Sequence, residues 1–446
     1  MLAFLALLEI TQRPRPRRPR AIFSGTFATR SPPTTMMTSS LAGLVLAAFL
    51  TLLVAWPLAY AVVPLAAAAL ALVAFATRRR AVTPLSREHL WFLATLAAFS
   101  LIWLADVART GVWPRAIERG GLWLPLWPLL AAFVWLGWRR LRPPVAALWW
   151  GVGLGAVLAG LIAGREVWVL GDVRAGNGIN PIPFGMLSLL LGSLAWVGVF
   201  AVRSGWARAG LLLALAFGLG ASLLSGTRGS WVVFPALVVV VGLGFWRTLP
   251  RPVLGIGVTA LLGLLLLASL SPTLAVTERV GEALESVDQY DEGERGNSFG
   301  VRVEMWRVGV QLFSERPLFG WGEGRLQERR DDWVAAWDLH PAVSLHDQLH
   351  SDLIDTAARR GLVGLGSLLM LYGVPLLLFA RALRGRPDAT TRALAVAGLV
   401  VVVAFIGFGL TQSMLRDARG LAGYLGLITA CWCLLRVHKR DAILNG

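Results

Sequence analysis

The stretch RALAVAGLVVVVAFIGFGLTQ, residues 392–412, carries a charge at its first residue and none afterwards. A helix crosses a bilayer with roughly 20 mostly apolar residues, so this stretch reads as a membrane span. Working outward from it, comparable apolar runs lie near 41–56, 58–76, 89–105, 121–138, 145–163, 182–201, 207–224, 229–246, 252–270, 361–380 and 420–436, divided by short breaks marked by Arg, Pro or Gly. With 56% hydrophobic and 15% charged residues in 446, and a mean hydropathy of +0.65, the chain is too apolar for a water-soluble globule. The expected fold is an all-α polytopic membrane protein of about 12 transmembrane helices.

The net charge of +16 is almost wholly arginine, since Lys439 is the only lysine. Its distribution assigns it to topology. Arg13 to Arg30, Arg78 to Arg80, Arg139, Arg140 and Arg142, Arg203 and Arg208, Arg247 and Arg251, Arg381, Arg384 and Arg386, and Arg436 to Arg440 all fall on alternate connections. By the positive-inside rule these face the cytoplasm, with both termini, and membrane lipids rather than nucleic acid are the expected surroundings. The expected division is a disordered cytoplasmic tail over 1–38, spans one to nine over 39–270, and a large extracytoplasmic loop over 271–360. Spans ten to twelve follow over 361–437, with a short cytoplasmic tail over 438–446. Met36 and Met37 leave open that the first residues are an upstream extension. Cys431 and Cys433 lie inside the last run and read as small packing residues.

Topology leaves a second set of arginines unexplained on the outer side: Arg165, Arg174, Arg228, Arg302, Arg307, Arg416 and Arg419. Arg228 stands in Ser225-Gly226-Thr227-Arg228-Gly229-Ser230-Trp231, a connection so short that its guanidinium sits near the mouth of the bundle. A guanidinium fork matches phosphate oxygens bidentately. Arg174 precedes a turn-rich segment ending Asn180-Pro181, and Arg165 reads as a neighbour paired with Glu166. In the loop, Asn297-Ser298 followed by Val301, Met305, Val308 and Leu312 predicts a capped amphipathic helix ending at Pro317. Arg302 and Trp306 share one of its faces, and its apolar residues are expected on the membrane surface.

Three of the five histidines, His340, His346 and His350, lie in the same loop. A second loop helix is expected from about Ser344 through Asp355, with His346 and His350 four apart on one face. His-Asp-Gln-Leu-His approaches the zinc pattern His-Glu-x-x-His, but Asp347 replaces the glutamate and no third ligand is evident. No metal or other cofactor is therefore expected. Arginines nearby disfavour a charged imidazole and leave it able to accept a proton. A neutral base beside phosphate-binding arginines suits glycosyl transfer from a lipid diphosphate.

In order and spacing, Ser225 to Trp231 opening a span, Arg302 with Trp306, Pro317-Leu318-Phe319-Gly320-Trp321-Gly322, and His350 before Gly361-Leu362-Val363-Gly364 resemble the O-antigen ligase family of bacterial envelopes. The resemblance covers roughly residues 170–380. It implies a metal-independent inverting glycosyltransferase at the periplasmic face of the inner membrane. Such an enzyme moves polysaccharide from undecaprenyl diphosphate to a lipid A-core sugar in lipopolysaccharide biosynthesis. The resemblance makes Arg228 and Arg302 diphosphate ligands and His350 the residue activating the acceptor, His346 being second choice; Arg174, with no adjacent acid, is a further ligand candidate from its place in the chain alone. Ser351 follows His350 where many family members carry asparagine. O-antigen polymerase and protein O-oligosaccharyltransferase share the superfamily. A membrane transporter is the alternative from another class, and would be expected to place its ionisable groups at mid-membrane.

Overall fold

The computed structural model describes residues 33–77, 84–114, 121–178, 180–248 and 296–445. Among the described residues every regular element is helical, as expected where lipid offers the backbone no hydrogen-bonding partner. In chain order these are α1 (Pro33–Leu52), α2 (Ala59–Thr77), α3 (Arg87–Thr110), α4 (Trp127–Leu141), α5 (Ala146–Gly164), α6 (Pro181–Val199), α7 (Gly205–Leu224) and α8 (Arg228–Phe245). After them come α9 (Ser298–Glu315), α10 (Arg325–Ala336), α11 (Asp352–Ala382), α12 (Ala389–Thr411) and α13 (Ala418–Asn445). Nine of the described helices are long and apolar enough to cross a membrane. Of the other expected spans, the first falls on α1 and the fourth on the 15-residue α4. The ninth, over 252–270, lies outside the described residues, as do most of the tail over 1–38 and the start of the loop over 271–295.

α6, α12 and α13 are the most enclosed, with the remaining spans packed around them. Lipid tails are as apolar as leucine, so helices in a bilayer gain by close packing of small residues. Gly218 of α7 lies so near α6 that a Cβ there would meet Ser188 O at 2.7 Å and Gly192 Cα at 2.8 Å. Cys431 and Cys433 are buried free thiols in the same core.

The connections sort into two ends. At one, Ser39 donates to Arg142 O (2.6 Å), Arg142 pairs with Asp441 (3.4 Å), Arg436 with Glu88, and His438 with Asp388 (2.9 Å). At the other, Asn177 donates to Val54 O and Ala55 O, and Arg109 to Phe319 O and Gly320 O.

The second end carries a small lobe made of α9, α10 and the segment leading into α11. Asn297 caps α9 by accepting from the amides of Phe299 and Gly300, and the helix stops ahead of Pro317. Val301, Met305, Val308 and Leu312 do not lie on a membrane surface as expected. They build a separate core with Leu326, Leu339, Val343, Leu349 and Ala358, because α10 and α11 supply a closer apolar partner.

α11 joins lobe and span without a break in the chain but with a kink at Gly361 (φ 60°, ψ −154°). In an unbroken helix the amides of 362 and 363 would bond the carbonyls of 358 and 359. Here Leu362 N donates to Pro317 O (2.7 Å) and Val363 N to Leu318 O (3.2 Å), while Ala358 O and Arg359 O accept from Trp321 N (3.0 Å) and Gly322 N (2.9 Å). A Cβ on Gly361 would lie 2.4 Å from Leu318 C and O, and its dihedrals are a glycine preserve. Gly361→Ala is expected to destabilise by at least about 1–3 kcal/mol of backbone strain. Thermal unfolding in detergent checks this, with Gly366→Ala, which has open space at its Cβ, as the control.

Candidate functional site

The site begins where α7 turns into α8. Gly226 (φ 63°) reverses the chain. Ser225 Oγ donates to Thr227 Oγ1 (2.8 Å), which donates to Pro181 O (3.1 Å), so the hydroxyls tie this turn to the start of α6. Arg228 is then the first residue of α8, at the outer end of the bundle. Arg174 lies alongside, its Nε donating to Ser225 O at 2.8 Å. Glu166 does not pair with Arg165 as read from the sequence. Its carboxylate accepts from the amides of Gly176 (2.8 Å) and Asn177 (2.9 Å), a better use of a buried acid because it satisfies two backbone donors and fixes the loop carrying Arg174.

Arg302 comes from α9. Burial, then the positive charges of Arg174 and Arg228, lower its pKa from the ordinary value. Three guanidinium groups from separate parts of the chain therefore bear on one another, and Arg302 has no carboxylate within salt-bridge distance among the described residues. The rest of the outer set is used differently. Arg416 enters an ion network, while Arg307 and Arg419 stack over Trp337 (5.7 Å) and Tyr60 (5.9 Å).

His350 is 9% exposed and adopts φ 48°, rare for a residue with a Cβ. The flanking amides hold it there: Leu349 N donates to Asp355 Oδ1 and Ser351 N to Ser413 Oγ, each at 3.1 Å. Its Nδ1 stands 2.6 Å from Gln412 Oε1. Burial and then the charge of Arg302 lower its pKa to about 4, outweighing the opposite pull of Gln412 and Asp355. The imidazole is thus neutral at physiological pH.

The expected helix from Ser344 does not form. Arg330 donates to Ser344 O (3.0 Å) and to His346 O, and Arg359 to Asp347 O, so carbonyls a helix would use are taken by side chains. α11 instead starts at Asp352 with Ser351 as its cap. His346 and His350 still meet, edge to face, with ring centroids 5.1 Å apart. His340 stands apart, capping a short 3₁₀ turn over Pro341–Val343.

Sequence reading missed the support beneath this site. Glu323, 1% exposed, pairs with Arg359 and Arg360 at 2.9 Å and Arg416 at 2.5 Å. Asp355 also pairs with Arg359 (3.0 Å), and Asp106 of α3 with Arg109 (2.8 Å) and Arg360 (3.6 Å). Burial alone would raise the Glu323 pKa, but the three arginines hold it well below the carboxylate range. The network joins the turn after α9, the start of α11, the α12–α13 connection and α3. The only signal was one acid among glycines, with Arg359-Arg360 just ahead of a span.

Comparison with known proteins bears out the family resemblance read from the sequence. Residues 212–369 match the family model described as O-antigen ligase. That segment includes Arg228, Arg302, His346 and His350 and leaves out Arg174 and Gln412. An uncharacterized protein of Haemophilus influenzae is 24% identical over 216 residues, 47% of this chain and 52% of its own. The O-antigen ligase of Escherichia coli is 24% identical over 224 residues, 50% of each chain. The chain spans about half the length of these curated relatives.

Proposed function

We propose that this chain, which carries the O-antigen ligase family region, is an O-antigen ligase: an inverting glycosyltransferase that needs no metal and acts in lipopolysaccharide biosynthesis. Its donor is a polysaccharide on undecaprenyl diphosphate, and its acceptor a sugar hydroxyl of lipid A-core. It resides in the bacterial inner membrane with both termini cytoplasmic and the site facing the periplasm, as the arginine bias of the connections argues. One observation carries the reading: Arg174 and Arg228 bear on Arg302, and Arg302 in turn on a histidine held neutral.

The step follows from those charges. The diphosphate lies against Arg228 and Arg302, with Arg174 behind them. His350 accepts the proton of the acceptor hydroxyl as its oxygen attacks the anomeric carbon from the face opposite the leaving group. The new glycosidic bond forms as the bond to the diphosphate oxygen breaks. The electron pair leaves with the lipid diphosphate, where the guanidinium groups meet the added negative charge. His346, against the edge of the His350 ring, is the second choice for the proton.

The test is deletion of the gene in its host and complementation with wild type, reading lipid A-linked and undecaprenyl-linked glycans. Loss of the polysaccharide ladder on lipid A, with long polymer kept on the carrier lipid, is expected. Accumulation of single repeat units would make the protein a polymerase. Unchanged glycan pools would sink the envelope reading, moving protein glycosylation or transport to the front.

A further inference from the structure

The α12–α13 connection holds a group that the proposed chemistry leaves unassigned. Gln412 is 1% exposed and sits where α12 ends in extended backbone. Its amide donates to Phe408 O and its carbonyl accepts from Met414 N, each at 2.9 Å, so the main chain on either side is pinned. The next residue, Ser413, accepts from Ser351 N, and Leu415 N donates to Asp352 Oδ1 at 3.0 Å. Arg416 closes the connection onto Glu323. A short segment fixed at four points thus presents one side-chain amide to one ring nitrogen of His350.

We propose that Gln412 is a positioning residue that holds His350 as the tautomer protonated at Nδ1, leaving the Nε2 lone pair to accept the proton. The 2.6 Å contact joins Nδ1 to the amide oxygen, which has no hydrogen to give, so the ring donates. Only Nε2 is then left to meet the acceptor. The charges around the ring agree. Arg302 from α9 is a cation that favours the neutral ring, while His346 from the same segment and Asp355 from α11 also act on it. The left-handed backbone at His350 fits this role, since the amide after it is tied to Ser413, the residue next to Gln412. In metal sites the partner that orients a histidine changes activity by about 10- to 100-fold when removed, and the same range is expected here.

Only the kinetic arm rests on the transferase reading. With five histidines in the chain, ¹⁵N-histidine spectra of the purified protein in detergent can be assigned to His350 by its loss in His350→Asn. Wild type is expected to show a protonated Nδ1 and a bare Nε2, and Gln412→Leu to lose that signature. The isosteric Gln412→Glu, whose carboxylate also accepts, is expected to keep it and raise the acid limb of the pH–rate profile. In transfer assays Gln412→Leu is expected to lower kcat by about 10- to 100-fold with the donor KM unchanged, and Gln412→Glu to recover most of it. A wild-type signal protonated at Nε2, or one unaltered in Gln412→Leu, overturns the proposal. A tautomer change as expected without detectable transfer upholds the positioning and removes the transferase reading.

Discussion

Arg302→Ala is expected to lower the transfer rate by about 10²- to 10³-fold, the usual cost of removing one charge-stabilising donor from a reacting centre. Two consequences follow, the first on the rate and the second on its pH dependence. The leaving diphosphate loses a guanidinium, and His350 loses the neighbour whose charge follows burial as a cause of its low pKa. The sign is fixed by that cause. Without Arg302 the histidine pKa rises from about 4 towards its ordinary 6.5, so the pH at which the base becomes protonated moves upward. The wild-type rate should stay flat from neutral pH down to about 5, and the residual rate of the variant should fall at higher pH. Arg302→Lys keeps the charge but not the fork, so it should keep the wild-type acid limb while losing rate. A variant that loses rate with no movement of the limb would separate Arg302 from His350.

Glu323→Ala is expected to be the most destabilising single change in the lobe. It leaves Arg359, Arg360 and Arg416 buried together with less than their counter-charge. Breaking a buried pair by removing one partner costs about 3–5 kcal/mol, because the remaining charge stays out of water. The measurement is thermal or denaturant unfolding in detergent, with surface-exposed Glu328→Ala as control. Since the folded pKa of Glu323 lies below its ordinary 4.5, its contribution is complete above that pH and erodes as pH falls beneath it. An unfolding midpoint equal to wild type would show that the network does not bind lobe to bundle.

Much of the fold was legible because the physics of a span is local. Residues 392–412 announce themselves by composition, and α9 by a cap and four apolar positions on one face. The start of α11 at Ser351 was not legible, because Arg330 and Arg359 decide it by taking the carbonyls of 344, 346 and 347 from distant positions. Arg302 and His350 could be proposed from their order and residue type, but their convergence with Arg174 and Arg228 is a property of packing. Glu323 and Arg416 are 93 residues apart, and no periodicity connects them. Gln412 had still less signal, being one polar residue at a span end.

The kink at Gly361 also governs how the molecule comes apart. Its opened helical groups are all closed by Pro317, Leu318, Trp321 and Gly322, so the turn and the top of α11 share one set of backbone bonds. Neither can lose its order while the other keeps it. The lobe therefore has no unfolding event of its own at this seam, and these amides should exchange with solvent only through openings that also unravel the upper turns of the span.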